Sequence, residues 1–144
     1  MPVRIDFYHD ASDKLEVAAR IAQKAHVSGQ RVLVVTPEES TRDAFDRVLW
    51  TFAPLSFVPH CRSGHALEAE TAVVLAGHVS EIAGPKPEVL MNLGAEIPEG
   101  FDRYDRVIEI VARDDSDRLP ARDRYRKYRS AGHEVTVHQL GEKS

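Results

Sequence analysis

A single cysteine, Cys61, in 144 residues excludes an internal disulfide and any cluster of thiolate metal ligands. No apolar run approaches the roughly 18 residues that a membrane helix requires. Glycine is missing where nucleotide chemistry needs it. The first strand-to-helix turn reads His9-Asp10-Ala11-Ser12, with no glycine to let a backbone approach a pyrophosphate, so it is neither a dinucleotide fingerprint nor a P-loop. A Gly-x-Ser-x-Gly elbow is also lacking, and with it the usual hydrolase nucleophile. The seven histidines (His9, His26, His60, His65, His78, His133 and His138) are scattered, without a His-x-x-x-His pair. Cys61 has His60 beside it and His65 four residues on, but no second cysteine converges on them. Neither a catalytic residue, a metal nor a cofactor is expected. Excess positive charge is lacking too: the formal net charge is −4, whereas wide coverage of a phosphate backbone rewards a basic surface.

What is present has the rhythm of an α/β protein. Val3–Tyr8 alternates apolar and polar residues as a strand does. Leu15, Ala18, Ala19, Ala22 and Ala25 then repeat at helical spacing, capped by Asp10 or Ser12 and stopped by Gly29. Arg31–Thr36 is a short, β-branched run, the mark of a strand covered on both faces. Thr36-Pro37-Glu38-Glu39 reads as a helix start, with Thr36 as N-cap and Glu39 completing a capping box. Further strands are expected at Thr71–Ala76, Glu88–Leu93, Arg106–Val111 and Glu134–Leu140, with a short one at Ser56–Val58 inside an irregular loop, Phe52–His65. The expected fold is α/β, Rossmann-like, with three αβα layers around a mostly parallel central sheet, as a single domain over residues 1–144. The N-terminus has no signal-peptide layout, and the cytoplasm is the expected compartment.

The positive charge that exists is concentrated. Arg118–Gly132 carries six of the 19 Lys and Arg residues and one acid, Asp123. On a helix, Arg118, Arg122, Tyr125, Arg126 and Arg129 share one side, next to an apolar stripe of Ala121, Tyr128 and Ala131. Pro120 must fall in or near the first turn, and Asp114, Ser116 and Asp117 suit the helix start. Charge runs on helices are usually solvated faces. A basic face edged by an aromatic, however, suits an anionic partner that also has an apolar part. The second concentration is aromatic: Trp50, Phe52 and Phe57, with Leu55 and Val58, in a stretch broken by Pro54 and Pro59. Such a group is either core or an exposed interaction patch.

These two stretches resemble the chi subunit of bacterial DNA polymerase III, an accessory protein of the clamp-loader complex. The likeness runs through Asp6-Phe7-Tyr8, Ser28-Gly29-Gln30-Arg31-Val32-Leu33, Leu49-Trp50, Ser56-Phe57-Val58-Pro59-His60, Val89-Leu90-Met91-Asn92-Leu93 and Arg122–Gly132. It implies a non-catalytic replication adaptor acting at replication forks. Its partners would be the acidic, Phe-ending C-terminal tail of single-stranded DNA-binding protein and the psi subunit, or a helicase in its place. Arg122, Tyr125 and Arg126 match the tail pocket, with Arg118 and Arg129 as flanking charge. Arg126 stands where the family has a Lys. Trp50 and Phe57, with Val58, match the psi or helicase surface. The segment Arg62–Ala69 and the last strand depart from the family pattern. No membrane partner and no tight direct DNA binding are expected. The alternative reading is a protein that binds nucleic acid directly through the arginine helix.

Overall fold

A computed structural model describes residues 2–52 and 58–140. Seven strands form one sheet in the order β3-β4-β2-β5-β6-β1-β7. They are β1 (Arg4–Ala11), β2 (Val32–Val35), β3 (His60–Arg62), β4 (Val73–Ala76), β5 (Val89–Asn92), β6 (Arg106–Ala112) and β7 (Glu134–Gln139). Every pairing is parallel. The α-helices among the described residues are α1 (Lys14–Val27), α2 (Glu39–Thr51) and α3 (Asp115–Ser130). The expected α/β architecture with a parallel sheet is what the chain adopts.

Strand periodicity divides the core in two. Val32, Val34, Val73, Leu75, Val89, Met91, Ile108 and Ile110 face α1 and α2. Their alternates Leu33, Val35, Val74, Leu90, Val107 and Val111 join Ile5 and Phe7 on the opposite face, against Ala121 and Tyr128 of α3. β2, β4 and β5 are buried at every position, as strands covered on both faces must be. Both α1 and α3 end in a glycine at positive φ, Gly29 at 82° and Gly132 at 87°. At each end the next amide reaches back over the last turn, Gln30 N to Ala25 O and His133 N to Tyr128 O. A Cβ would strain either position.

Several boundaries differ from the sequence expectations. α1 is capped by Asp13, whose side chain accepts from Glu16 N, rather than by Asp10 or Ser12. α2 begins at Glu39 with Glu38 as its N-cap. Thr36 is fully buried instead, its hydroxyl donating to Ala76 O at 3.4 Å. Its oxygen accepts from the Arg42 side chain of α2 at 3.3 Å, not from a first-turn amide. His60–Arg62, expected as irregular loop, is an edge strand on β4. Of the short strand expected at Ser56–Val58, residues 56 and 57 lie outside the described residues and Val58 is not in a strand. Pro120 is the sixth residue of α3, a turn further in than expected. No helix among the described residues is long and apolar enough to cross a membrane.

Candidate functional site

The rotational setting of α3 decides which of its cations meet solvent. Ala121, Arg124 and Tyr128 point inward. Glu109 stands in the middle of the apolar β6, fully buried, on the face that α3 covers. Its carboxylate accepts from Arg124 Nε at 3.0 Å, Tyr128 hydroxyl at 2.8 Å and Asn92 Nδ2 at 2.9 Å. Burial raises the Glu109 pKa, against the lowering influence of the Arg124 charge and of the bonds from Asn92, Tyr128 and Arg124. Burial and the Glu109 charge also raise the Tyr128 hydroxyl above its ordinary value, which keeps it a donor. Arg124 donates further from Nη1 to Ala95 O at 2.8 Å, while its Nη2 is buried without a hydrogen-bond partner among the described residues. A charge this buried is held by its partner, and removing one member of such a pair costs about 3–5 kcal/mol.

With Arg124 and Tyr128 inside, the other arginines are turned out. Arg118, Arg122, Arg126 and Arg129 are all exposed. Arg118 pairs with Asp115, and Arg126 with Asp123 at 3.2 Å. These are solvated contacts three residues apart, worth little and readily exchanged for another carboxylate. Arg122 has no ion-pair partner among the described residues. Arg129 donates to the Tyr125 hydroxyl at 3.0 Å, and its guanidinium lies 5.7 Å from the Tyr125 ring centre.

The two flanks of α3 look in opposite directions across the sheet. Arg124 reaches toward β6 and the loop after β5. Tyr125 meets Phe7 of β1 edge-on, with ring centres 5.7 Å apart. Because the sheet runs β5-β6-β1-β7, the Tyr125 flank faces the β7 edge. At 100° per residue Arg118, Arg129 and, further round, Arg122 lie on this flank toward β7, while Arg126 lies on the outer crest of the helix, away from the buried stripe. The floor there is Val137, in register with Phe7 and 50% exposed. Parity along the strand puts Val137 on the α3 side together with Val135. Arginines, an aromatic and an exposed aliphatic therefore lie together at this edge of the sheet. The combination suits a ligand with carboxylates along its length and an apolar end. Of the five basic-helix residues singled out from sequence, Arg118, Arg122, Tyr125 and Arg129 share this flank and Arg126 borders it on the crest. The structure adds Val137 as the strand's contribution, and Arg124 and Glu109 as the pair that sets the helix.

The aromatic stretch lies toward the other edge. Trp50 is 60% exposed near the end of α2. Its ring meets His60 edge-on at 5.0 Å. His60 is itself held between Val58 O at 2.7 Å and Asp46 Oδ1 at 2.8 Å. Val58 is fully buried in the core under α1 and α2. In the isolated chain its side chain anchors this region and offers no surface. Phe57 lies outside the described residues.

The strand order reverses between β2 and β5, and a cavity of about 920 Å³ opens at their C-terminal ends. This is where open α/β sheets bind ligands. Here Glu38, Glu96, Glu99 and Asp117 line it, and Lys14 is already paired with Asp117 at 2.8 Å. Such a lining repels phosphate. Gly94 also packs so closely on Pro37 that a Cβ would sit 2.9 Å from its ring.

Residues 1–136 match the family described as DNA polymerase III chi subunit, HolC. The chain is 35% identical to a DNA polymerase III subunit chi of Pseudomonas aeruginosa over 95% of this chain and 96% of the relative. It is 29% identical to the Haemophilus influenzae subunit, over 88% and 87% of the two chains. With the Escherichia coli subunit the identity is 28%, over 81% and 79%.

Proposed function

The chain belongs to the DNA polymerase III chi subunit family, and from that premise we propose that it is a non-catalytic adaptor of the replication machinery in the cytoplasm. Its α3–β7 edge binds the acidic, Phe-ending C-terminal tail of single-stranded DNA-binding protein. The surface around Trp50, with Phe57, binds the psi subunit or a helicase and so links the tail to the clamp loader. One observation carries the tail reading: α3 exposes Arg118, Arg122 and Arg129 on the same flank as Tyr125, with Arg126 beside them on its outer crest, next to the edge strand that exposes Val137.

The energetics suit such a ligand. Arginine forks pair carboxylates, including a terminal one, in charge-assisted bonds. Burying a Phe side chain beside Tyr125 and Val137 contributes about 1.5–3 kcal/mol. Each exposed charge pair adds roughly 0–1 kcal/mol and weakens with salt. Micromolar affinity, about −8 kcal/mol, needs most of these together.

Arg122→Ala and Arg126→Ala should each weaken binding of a synthetic acidic Phe-ending peptide about tenfold or more, with unchanged circular dichroism and unfolding midpoint. Fluorescence anisotropy reads the affinity. Undiminished binding by both variants would sink the tail reading. A single-stranded oligonucleotide serves as the control: tight binding with a steep salt slope favours direct nucleic-acid binding instead.

A further inference from the structure

The sheet's two edges are treated differently by the sequence. β3 is a three-residue strand whose Arg62 is ion-paired to Asp43 and Asp46, and a short, charged edge discourages pairing with another chain. β7 has six residues, Glu134-Val-Thr-Val-His-Gln139, and runs beside β1 in unbroken register. It contains no proline, lysine or bulge. Among the described residues its outer backbone is thus an unblocked template.

The ladder shows which groups are free. Glu134 N donates to Val3 O at 3.2 Å and Leu140 N to His9 O at 3.0 Å. In a parallel ladder alternate residues turn both their N–H and C=O to the same neighbour. Glu134, Thr136 and His138 therefore serve β1. Val135, Val137 and Gln139 aim their backbone groups away from the sheet, under the arginine flank of α3.

We propose that β7 is a receptor edge, on which the acidic peptide held by the α3 arginines docks as an additional strand, hydrogen-bonded to Val135, Val137 and Gln139. This rests on the acidic-tail reading and specifies how the tail is held. Dimensions agree: Arg118 to Arg129 spans about 16 Å of helix at 1.5 Å per residue, and six strand residues span about 20 Å. One extended peptide can therefore run the length from Arg118 to Arg129 while pairing along β7. Backbone pairing supplies affinity that does not depend on which acidic residue stands where, and the arginines and Val137 read charge and the apolar end.

The test compares Val137→Pro with Val137→Ala. Proline removes the outward N–H while leaving the bonds to β1, and is tolerated at that side of an edge strand. Alanine removes the same aliphatic wall and keeps the N–H. Val137→Pro should bind the synthetic acidic Phe-ending peptide about tenfold more weakly than Val137→Ala. On the native chain, saturating peptide should slow amide hydrogen exchange at Val135, Val137 and Gln139 by about tenfold or more. That measurement decides the matter even where the proline variant misfolds. Equal affinity of the two variants, or unchanged exchange at those amides under saturation, overturns the proposal. If Arg126→Ala still abolishes binding in that case, the tail reading stands and only the strand docking falls. Self-association abolished by Val137→Pro, without peptide-induced protection, would overturn it in favour of β7 pairing between two copies of the chain.

Discussion

Asp6 has no exposed surface, yet its carboxyl is held below the ordinary value of 3.8. Burial alone would raise it; hydrogen bonds from His138 and Arg106, with the charges of Arg106 and Arg4, more than offset that. His138 Nε2 donates to Asp6 Oδ1 at 2.9 Å, and Arg106 Nε to Oδ2 at 2.6 Å. A carboxyl whose folded pKa is lowered contributes stability that is present above its unfolded pKa and is lost as pH falls through the folded one. Asp6→Asn should therefore lower the neutral-pH unfolding midpoint and flatten its decline in acid, below about pH 4, in denaturant titrations. Equal acid limbs in both proteins would refute this. The second decisive residue is Arg124. Arg124→Ala should cost about 3–5 kcal/mol by leaving Glu109 buried and unpaired, and the joint change Arg124→Met with Glu109→Met should recover most of it. Sequence reading picked out Arg122 and Arg126 and passed over Arg124 between them. The signal was there in two places at once. Glu109 interrupts an apolar strand, and Arg124 shares the inward stripe of Ala121 and Tyr128. Only the pairing of a misplaced acid with a misplaced base, fifteen residues apart, makes either interpretable.

At the scale of elements, local chemistry competes with what the sheet demands. Thr36-Pro37-Glu38-Glu39 has the residues of a capping box, but Thr36, just past β2, is held by β4, its amide and its buried hydroxyl both donating to Ala76 O. The helix start is left to Glu38, whose extended backbone (φ −83°, ψ 124°) suits an N-cap while its side chain makes no capping bond. Glu38→Asp should supply the missing bond and stabilise the fold by about 0.5–1 kcal/mol, read as a shift in the denaturant midpoint at constant slope. No gain would mean that α2's first amides are already satisfied. β1 and β7 were legible by alternation, and β2, β4, β5 and β6 by apolar runs, broken in β6 only at Glu109, because burial on both faces writes itself into residue type. β3 was not legible. His60-Cys61-Arg62 is short and polar, and it is a strand because β4 offers an unfilled edge, which no local pattern records. α3 was legible as a helix with a basic face. Which way that face looks was not, since it depends on a sheet order that places β1 and β7 beyond β6.

The whole molecule separates its two concentrations of binding chemistry. The arginine flank faces β7, one end of the sheet, and Trp50 packs against His60 of β3, the other end. Six interstrand steps at about 4.8 Å put these edges about 29 Å apart. The core between them is close-packed on both faces of the sheet, and such interiors do not deform continuously. Charge is separated as well: the chain is net −4, four exposed arginines share α3, and carboxylates line the cavity at the strand ends. A partner at one edge thus has neither a steric nor a strong electrostatic reason to exclude one at the other, since charges that far apart are screened beyond a Debye length of about 8 Å at physiological salt. Titrating the acidic Phe-ending peptide into the chain with and without psi subunit bound should give affinities equal within about a factor of two, a coupling below about 0.5 kcal/mol. Trp50→Ala should weaken psi binding and leave the peptide isotherm unchanged, while Arg126→Ala should do the reverse. A peptide affinity that shifts tenfold when psi binds would show that the two edges communicate through the sheet. An adaptor built on a rigid seven-stranded spacer would then be the wrong description, and a switch the better one.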